Sequence, residues 1–393
     1  MAVTTIINNR ENKYSTALIY VLGIIGIGLV VFFGGKVIET ILNKNGKAGL
    51  TVETVYSQAE VIIDGEKIGE TPYTSKDLKP GNKTITIKTD SRQYQTTANF
   101  IPADNGTLHV VALIRDLGVS DTFSSGQEFW FEKNGSGNTL RMISEPSGAT
   151  VYIDGSEVGK TPFSSDNISP GNYTIAISYP NYESQTAEIS IQKGYVLNGS
   201  IKLFPYPVSE KPSLFENSSN LYDISTDNPL IYSDTESWAK AVVYWNKTRG
   251  LNIDNSLGIK DQVFDFFLDY KGNIFNKDGN IIKSDEDRKA MGELKKGAYL
   301  GKLSEGKGLT KEASEALSTI SGNVSLGKTA VIKQTPNGWL RVRDSGSLSG
   351  KEIGKVNTGE KYPVLEEKSG WIKIKVSSTL TGWVSSEYTS IEE

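Results

Sequence analysis

The chain has 393 residues with a formal net charge of -4, no cysteine and one histidine, His109. Near-neutral charge leaves no electrostatic case for nucleic acid as a partner. Absent cysteine removes disulfides, thiolate metal sites and cysteine nucleophiles, and a single imidazole inside the strand-like run Thr107–Ile114 is a poor start for a triad or a zinc site.

The length suggests roughly two to four domains. Residues 1–13 read as a short cytoplasmic tail and 14–35 as a transmembrane helix. No charge lies between Lys13 and Lys36, and Ala17–Phe33 is almost wholly apolar, long enough for the hydrocarbon layer. Tyr20, Phe32 and Phe33 sit toward the ends, where aromatic rings prefer the interface. The rival is a cleaved signal peptide, for which Gly34-Gly35 is a poor cleavage site. Basic residues flank both ends (Arg10 and Lys13, then Lys36, Lys44 and Lys47), so charge does not orient the span; the long segment that follows favours translocation of everything after it.

An internal repeat follows, without gaps, at an offset of 90 from Asp64 to Asp154. Ile62-Ile63-Asp64-Gly65, Gly69, Thr71-Pro72 and Pro80-Gly81 recur as Tyr152-Ile153-Asp154-Gly155, Gly159, Thr161-Pro162 and Pro170-Gly171. Asp-Gly between alternating runs is a hairpin signal, and Pro-Gly marks a further turn. Asp64, Gly65, Pro80, Gly81 and their partners Asp154, Gly155, Pro170, Gly171 are therefore turn residues; a shared ligand role for the two aspartates is the weaker alternative. Two small antiparallel β-domains are expected at 49–118 and 138–207, with a connector at 119–137. These residues resemble the PEGA domain: the second copy opens Pro146-Ser147-Gly148-Ala149, whereas the first keeps Ala59 but has Tyr56 and Gln58 at the signature. The resemblance implies extracytoplasmic β-sandwich modules without catalytic residues.

Prolines between Phe204 and Pro212 place a linker at about 208–220. Residues 221–325 read as a mixed α+β domain of no recognised family. Helices are expected at Ser237–Arg249, at Asp285–Lys296 behind a Ser284 cap, and at Thr310–Ile320. Asp261, Asp265, Asp269, Asp278 and Asp285 could supply a carboxylate pair, though surface and turn acids explain them more simply; Asn276–Asp287 lacks the glycine of an EF-hand loop.

Residues 329–391 return to short strands with glycines between them, the pattern of a small barrel. Leu340-Arg341-Val342-Arg343, Gly370-Trp371-Ile372-Lys373-Ile374 and Gly382-Trp383-Val384 with Tyr388 are similar to a bacterial SH3 domain. That resemblance implies recognition of cell-wall peptide or glycan, or a protein contact, without chemistry. Arg343, Tyr362, Trp371, Trp383 and Tyr388 are the candidate groove. For the two tryptophans barrel core is an equal alternative, and Arg343 could pair with a peptide carboxylate, Asp344 or Glu360.

The fold class expected is mainly β and multidomain. The function expected is a single-pass, membrane-anchored, non-catalytic envelope scaffold with a binding tip, needing no cofactor or metal. The alternative is a tethered envelope hydrolase using the acids of 221–325.

Overall fold

The computed structural model describes residues 46–392, except 136, 167, 209–211, 216, 217, 219, 250–263, 292–295, 306, 307, 321–328 and 377–379. The expected membrane helix at 14–35 and Asp261 lie outside the described residues. Among the described residues no helix is long and apolar enough to cross a membrane. The chain divides into two compact units, Met1–Pro207 and Val208–Glu393.

In the first unit, one repeat supplies β1 (Ala48–Thr54), β2 (Glu60–Ile63), β3 (Glu66–Glu70), β4 (Tyr73–Leu78), β5 (Gly81–Lys88), β6 (Gln93–Phe100) and β7 (Val110–Asp116). Then comes β8 (Ser125–Lys133). The second repeat supplies β9 (Thr139–Glu145), β10 (Thr150–Ile153), β11 (Ser156–Lys160), β12 (Phe163–Asp166), β13 (Gly171–Ser178), β14 (Gln185–Ile191) and β15 (Tyr195–Lys202).

The turn residues act as their chemistry predicts. Asp64 and Gly65 have φ of 51° and 88°, and Asp154 and Gly155 have 48° and 78°, the left-handed pair of a tight hairpin. Each aspartate also accepts from a neighbouring strand: Asp64 Oδ1 from Thr84 N and Asp154 Oδ1 from Thr174 N, both at 2.9 Å. Backbone bonding thus accounts for both acids. Gly81 and Gly171 follow Pro80 and Pro170 at φ of 121° and 156°. The repeated Thr-Pro has its own reason. Thr161 Oγ1 accepts from Gly148 N and Ala149 N at 3.1 and 3.0 Å, and Thr71 Oγ1 accepts from Ala59 N at 3.0 Å. These buried hydroxyls tie the entry segment of each repeat to the strand behind it.

The two repeats are not separate antiparallel domains. Each keeps a four-stranded sheet of its own (β3-β2-β5-β6 and β11-β10-β13-β14), but both contribute to one seven-stranded sheet ordered β12-β9-β15-β8-β7-β1-β4. Within it β1 runs parallel to β7 and β9 parallel to β15. The shared strand is β8, in the segment assigned to a connector from sequence; it pairs antiparallel with β7 on one edge and β15 on the other.

Because β7 and β15 run the same way with β1 and β9 outside them, the repeats are related by a pseudo-twofold along β8. Such an axis turns the sheet over, so the two small sheets cover opposite faces. Burial agrees. Val111 and Leu113 join the core with Leu50, Val61 and Ile85, while Ala112 and Ile114 join Val151, Ile175 and Ile189. A strand apolar on both faces must be covered on both, and every residue of β7 is buried.

Several polar groups at the seam are paired across it. Glu128 on β8 accepts from Tyr94 Oη and, at 3.0 Å, from Thr96 Oγ1, both on β6. Arg115 Nη1 lies 3.5 Å from the same carboxylate, and its guanidinium stacks 3.6 Å over the Tyr94 ring. Burial, more than the nearby Glu128, pushes the Tyr94 hydroxyl up to about 12. On the other face Gln127 Nε2 donates to Gln185 Oε1 at 2.8 Å.

His109 is a seam residue too. Its ring lies 4.1 Å from that of Tyr195 and 5.5 Å from that of Phe131, and Nδ1 is 2.6 Å from Gln192 Oε1. Burial lowers its pKa despite opposing contributions from Gln192 and Asp104; Lys133 lowers it further. A histidine held neutral when folded binds its proton more readily unfolded, so stability falls as pH drops through about 6.5 toward the folded value. Urea midpoints of the first unit measured from pH 7 to 5.5 should therefore decline. His109→Gln should flatten that decline, and an equal slope in the variant would assign it to other groups.

In the second unit β16 (Ser213–Leu214), β17 (Leu221–Asp223), β18 (Phe266–Asp269), β19 (Ile274–Asn276) and β20 (Gly297–Leu300) form one sheet, ordered β16-β17-β20-β18-β19. Its centre, β17-β20-β18, is parallel. Helices span Thr235–Arg249, Asp285–Ala290 and Lys311–Ser318, with Ser284 and Thr310 as side-chain caps of the last two. The remaining strands are β21 (Thr329–Ile332), β22 (Trp339–Arg343), β23 (Glu352–Asn357), β24 (Lys361–Lys368), β25 (Trp371–Lys375), β26 (Thr381–Ser385) and β27 (Thr389–Glu392). They join in the order β23-β22-β26-β25-β24-β21-β27 around Val342, Val356, Ile372, Ile374 and Val384.

Candidate functional site

Alternation along β25 and β26 decides where the aromatic candidates lie. Ile372, Ile374 and Val384 point into the core, which leaves Trp371, Lys373 and Trp383 on the opposite face. Arg343 pairs in register with Trp383, and Trp383 with Lys373. Trp383 is nevertheless only 8 % exposed. Its cover is the loop 344–351: a Cβ built on Gly346 would stand 3.1 Å from Trp383 Cε3 and 3.2 Å from Trp371 Cβ. The choice between core and groove therefore resolves differently for each ring. Trp383 is the buried support under the loop, and Trp371 is the half-exposed wall beside it.

The loop is built to hold its shape. Arg343 Nη1 donates to Gly350 O at 2.6 Å, and Asp344 Oδ1 accepts from Lys351 N at 2.9 Å. Arg343 thus takes a backbone carbonyl rather than Asp344 or Glu360. At the tip Leu348 is 84 % exposed, flanked by serine hydroxyls. Sequence reasoning passed over Leu348 and Gly346; the signal was a lone leucine in the run Ser345-Gly346-Ser347-Leu348-Ser349-Gly350.

The structure gathers Arg343, Trp371 and Trp383 around this loop and ties Tyr362 to β21 and Tyr388 to Lys333, the residue after it. Tyr362 lies opposite Ala330, and its hydroxyl donates to Glu360. Burial, and then that carboxylate, pushes the Tyr362 hydroxyl up; the same hydrogen bond holds the Glu360 carboxyl low. Tyr388 ends the turn Ser386–Tyr388, and its carbonyl accepts from Lys333 N at 2.9 Å. Trp339 is also half-exposed, but Lys355 Nζ sits 3.9 Å from its ring centre.

Of the acids of 221–325, Asp269 and Asp265 each have hydrogen-bond partners of their own. Asp269 is fully buried, and its oxygens accept from Thr235 Oγ1, Lys271 N, Asn273 N and Asn273 Nδ2 at 2.6 to 2.9 Å. Asp265 Oδ2 accepts from Lys296 N at 2.8 Å. Among the described residues no group of three or more His, Cys, Asp or Glu side chains could hold a metal ion.

Comparison with known families places names on these segments. The PEGA domain model matches residues 47–110 and 138–206, and the bacterial SH3 domain model matches residues 338–390. The chain thus carries two PEGA segments and a bacterial SH3 domain. No curated protein matches it.

Proposed function

We propose that a chain of two PEGA segments and a bacterial SH3 domain serves as a binding scaffold of the cell envelope, held to the membrane by residues 14–35. Its SH3 end carries the contact, with cell-wall peptide or glycan as the ligand, and it works by binding rather than by catalysis. The observation that carries this reading is the surface around loop 344–351. Trp371 and Leu348 offer apolar contact there, on a frame held by Arg343, Asp344 and buried Trp383, the combination of anchor and polar rim that recognition surfaces use. The uncharged run Tyr14–Gly35 supports the anchor. The hydrogen bonds taken up by Asp269 and Asp265 favour a structural use of those acids over chemistry.

The test uses the full chain with purified sacculi. Wild type should co-sediment, and Trp371→Ala or Leu348→Ser should reduce the bound fraction at least about ten-fold while thermal unfolding is unchanged, as expected where one apolar anchor is worth some 1.4 kcal/mol or more. Trp383→Ala should instead disturb folding, because that ring supports the loop. Wild-type protein left in the supernatant would refute wall binding. For the anchor, deletion of residues 1–45 should move the protein from the membrane fraction to the soluble one.

A further inference from the structure

The edge strands of the first unit differ in one respect. β3, β4, β11, β12 and β14 each carry at least one charged residue, such as Lys67, Asp77, Glu157, Asp166 and Glu188. Charges on an edge discourage another strand from adding to it. β6, Gln93-Tyr94-Gln95-Thr96-Thr97-Ala98-Asn99-Phe100, has neither charge nor proline and pairs with β5 through eight residues without a register shift. It ends its sheet in the order β3-β2-β5-β6, so among the described residues no strand pairs with its outer backbone edge.

A cleft of about 280 Å³ opens beside this edge. The repeat explains it. Register matches Ala98 on β6 with Ile189 on β14, since Ala98 pairs with Lys83 and Ile189 with Tyr173, 90 positions on. Where the second repeat fills the space with an isoleucine, the first leaves a gap that reaches Val111 and Leu113. Beyond the gap, β8, β15 and β9 run on beneath β6 as a shelf whose rim includes Trp130, Ser200 and Ile143, the last 52 % exposed. The charges next to that rim are paired: Arg141 lies 3.9 Å from Glu132, Lys202 lies 3.0 Å from Glu145, and Glu128, which lines the cleft, lies 3.5 Å from Arg115.

We propose that β6 is a strand-addition site for an extended, uncharged segment of another protein, one aliphatic side chain of which enters the cleft beside Ala98. Backbone pairing along an open edge supplies affinity, and the pocket for an alternate side chain supplies selectivity. The uncharged edge strand and the paired charges of the shelf suit an uncharged strand.

The test is selection of a phage-displayed pool of random decapeptides on the full chain. Enriched peptides should show an aliphatic residue between uncharged neighbours. They should bind at least about ten-fold more weakly to Ala98→Ile, which fills the cleft, and to Thr97→Lys, which charges the edge. Both variants should unfold at the wild-type midpoint, because isoleucine already occupies the matching position in the second repeat and Thr97 is exposed. No enrichment, or peptides that bind all three chains alike, would overturn the proposal. So would self-association abolished by Thr97→Lys, which would put a second copy at the edge.

Discussion

Glu128→Ala is expected to destabilise the first unit by about 3–5 kcal/mol, the usual cost of removing one partner from a buried ion pair. Arg115 is 5 % exposed and would lose the carboxylate it pairs with at 3.5 Å, leaving only the weaker influence of Glu145 and Asp116 on its charge. Tyr94 and Thr96 would lose their acceptor in the same step. Because β8 belongs to both repeats, the loss should be felt on both sides of it. Native-state hydrogen exchange should show amides of β7, β8 and β15 speeding up together. Glu128→Gln keeps the volume and an acceptor, so it should cost less. Acceleration confined to the first repeat would show that β8 does not couple the two.

Asp269→Ala is expected to lower the stability of the parallel-sheet region by at least about 3 kcal/mol, since each buried group left without a partner costs roughly 1–3 kcal/mol. Four donors converge on this carboxylate. They close the turn after β18 and fasten it to Thr235 at the start of the long helix. Limited proteolysis between Phe266 and Leu300 should report the change. The result bears on function as well: a variant that stays folded while a wall-degrading activity disappears would return Asp269 to the catalytic reading.

Much of the local structure was legible because it is set by residues close in sequence. Asp64-Gly65 and Asp154-Gly155 adopt positive φ where a tight hairpin needs it, and Ser284 and Thr310 cap the helices they precede. The helix after Ser284 was expected to reach Lys296, and the structure describes it to Ala290. Partners distant in sequence were harder to read. Trp371 and Trp383 lie one strand apart with similar neighbours, yet the 344–351 loop buries one and leaves the other as a wall. Nothing local to either ring encodes which of them the loop will cover.

The seam shows the same limit at larger scale. The repeat, its turns, the strand alternation and the resemblance of its segments to PEGA and bacterial SH3 domains are readable from the residues alone, because each depends on short-range geometry or on a pattern of period 2. That β8 joins the two repeats into one sheet, that their small sheets lie on opposite faces, and that Arg115, Glu128 and His109 are seam residues depends on contacts between segments far apart in the chain. A strand's own side chains say which faces are apolar; they do not say which strand will lie beside it. For β7 the apolar faces numbered two, and the second was explained only when the other repeat was seen to cover it.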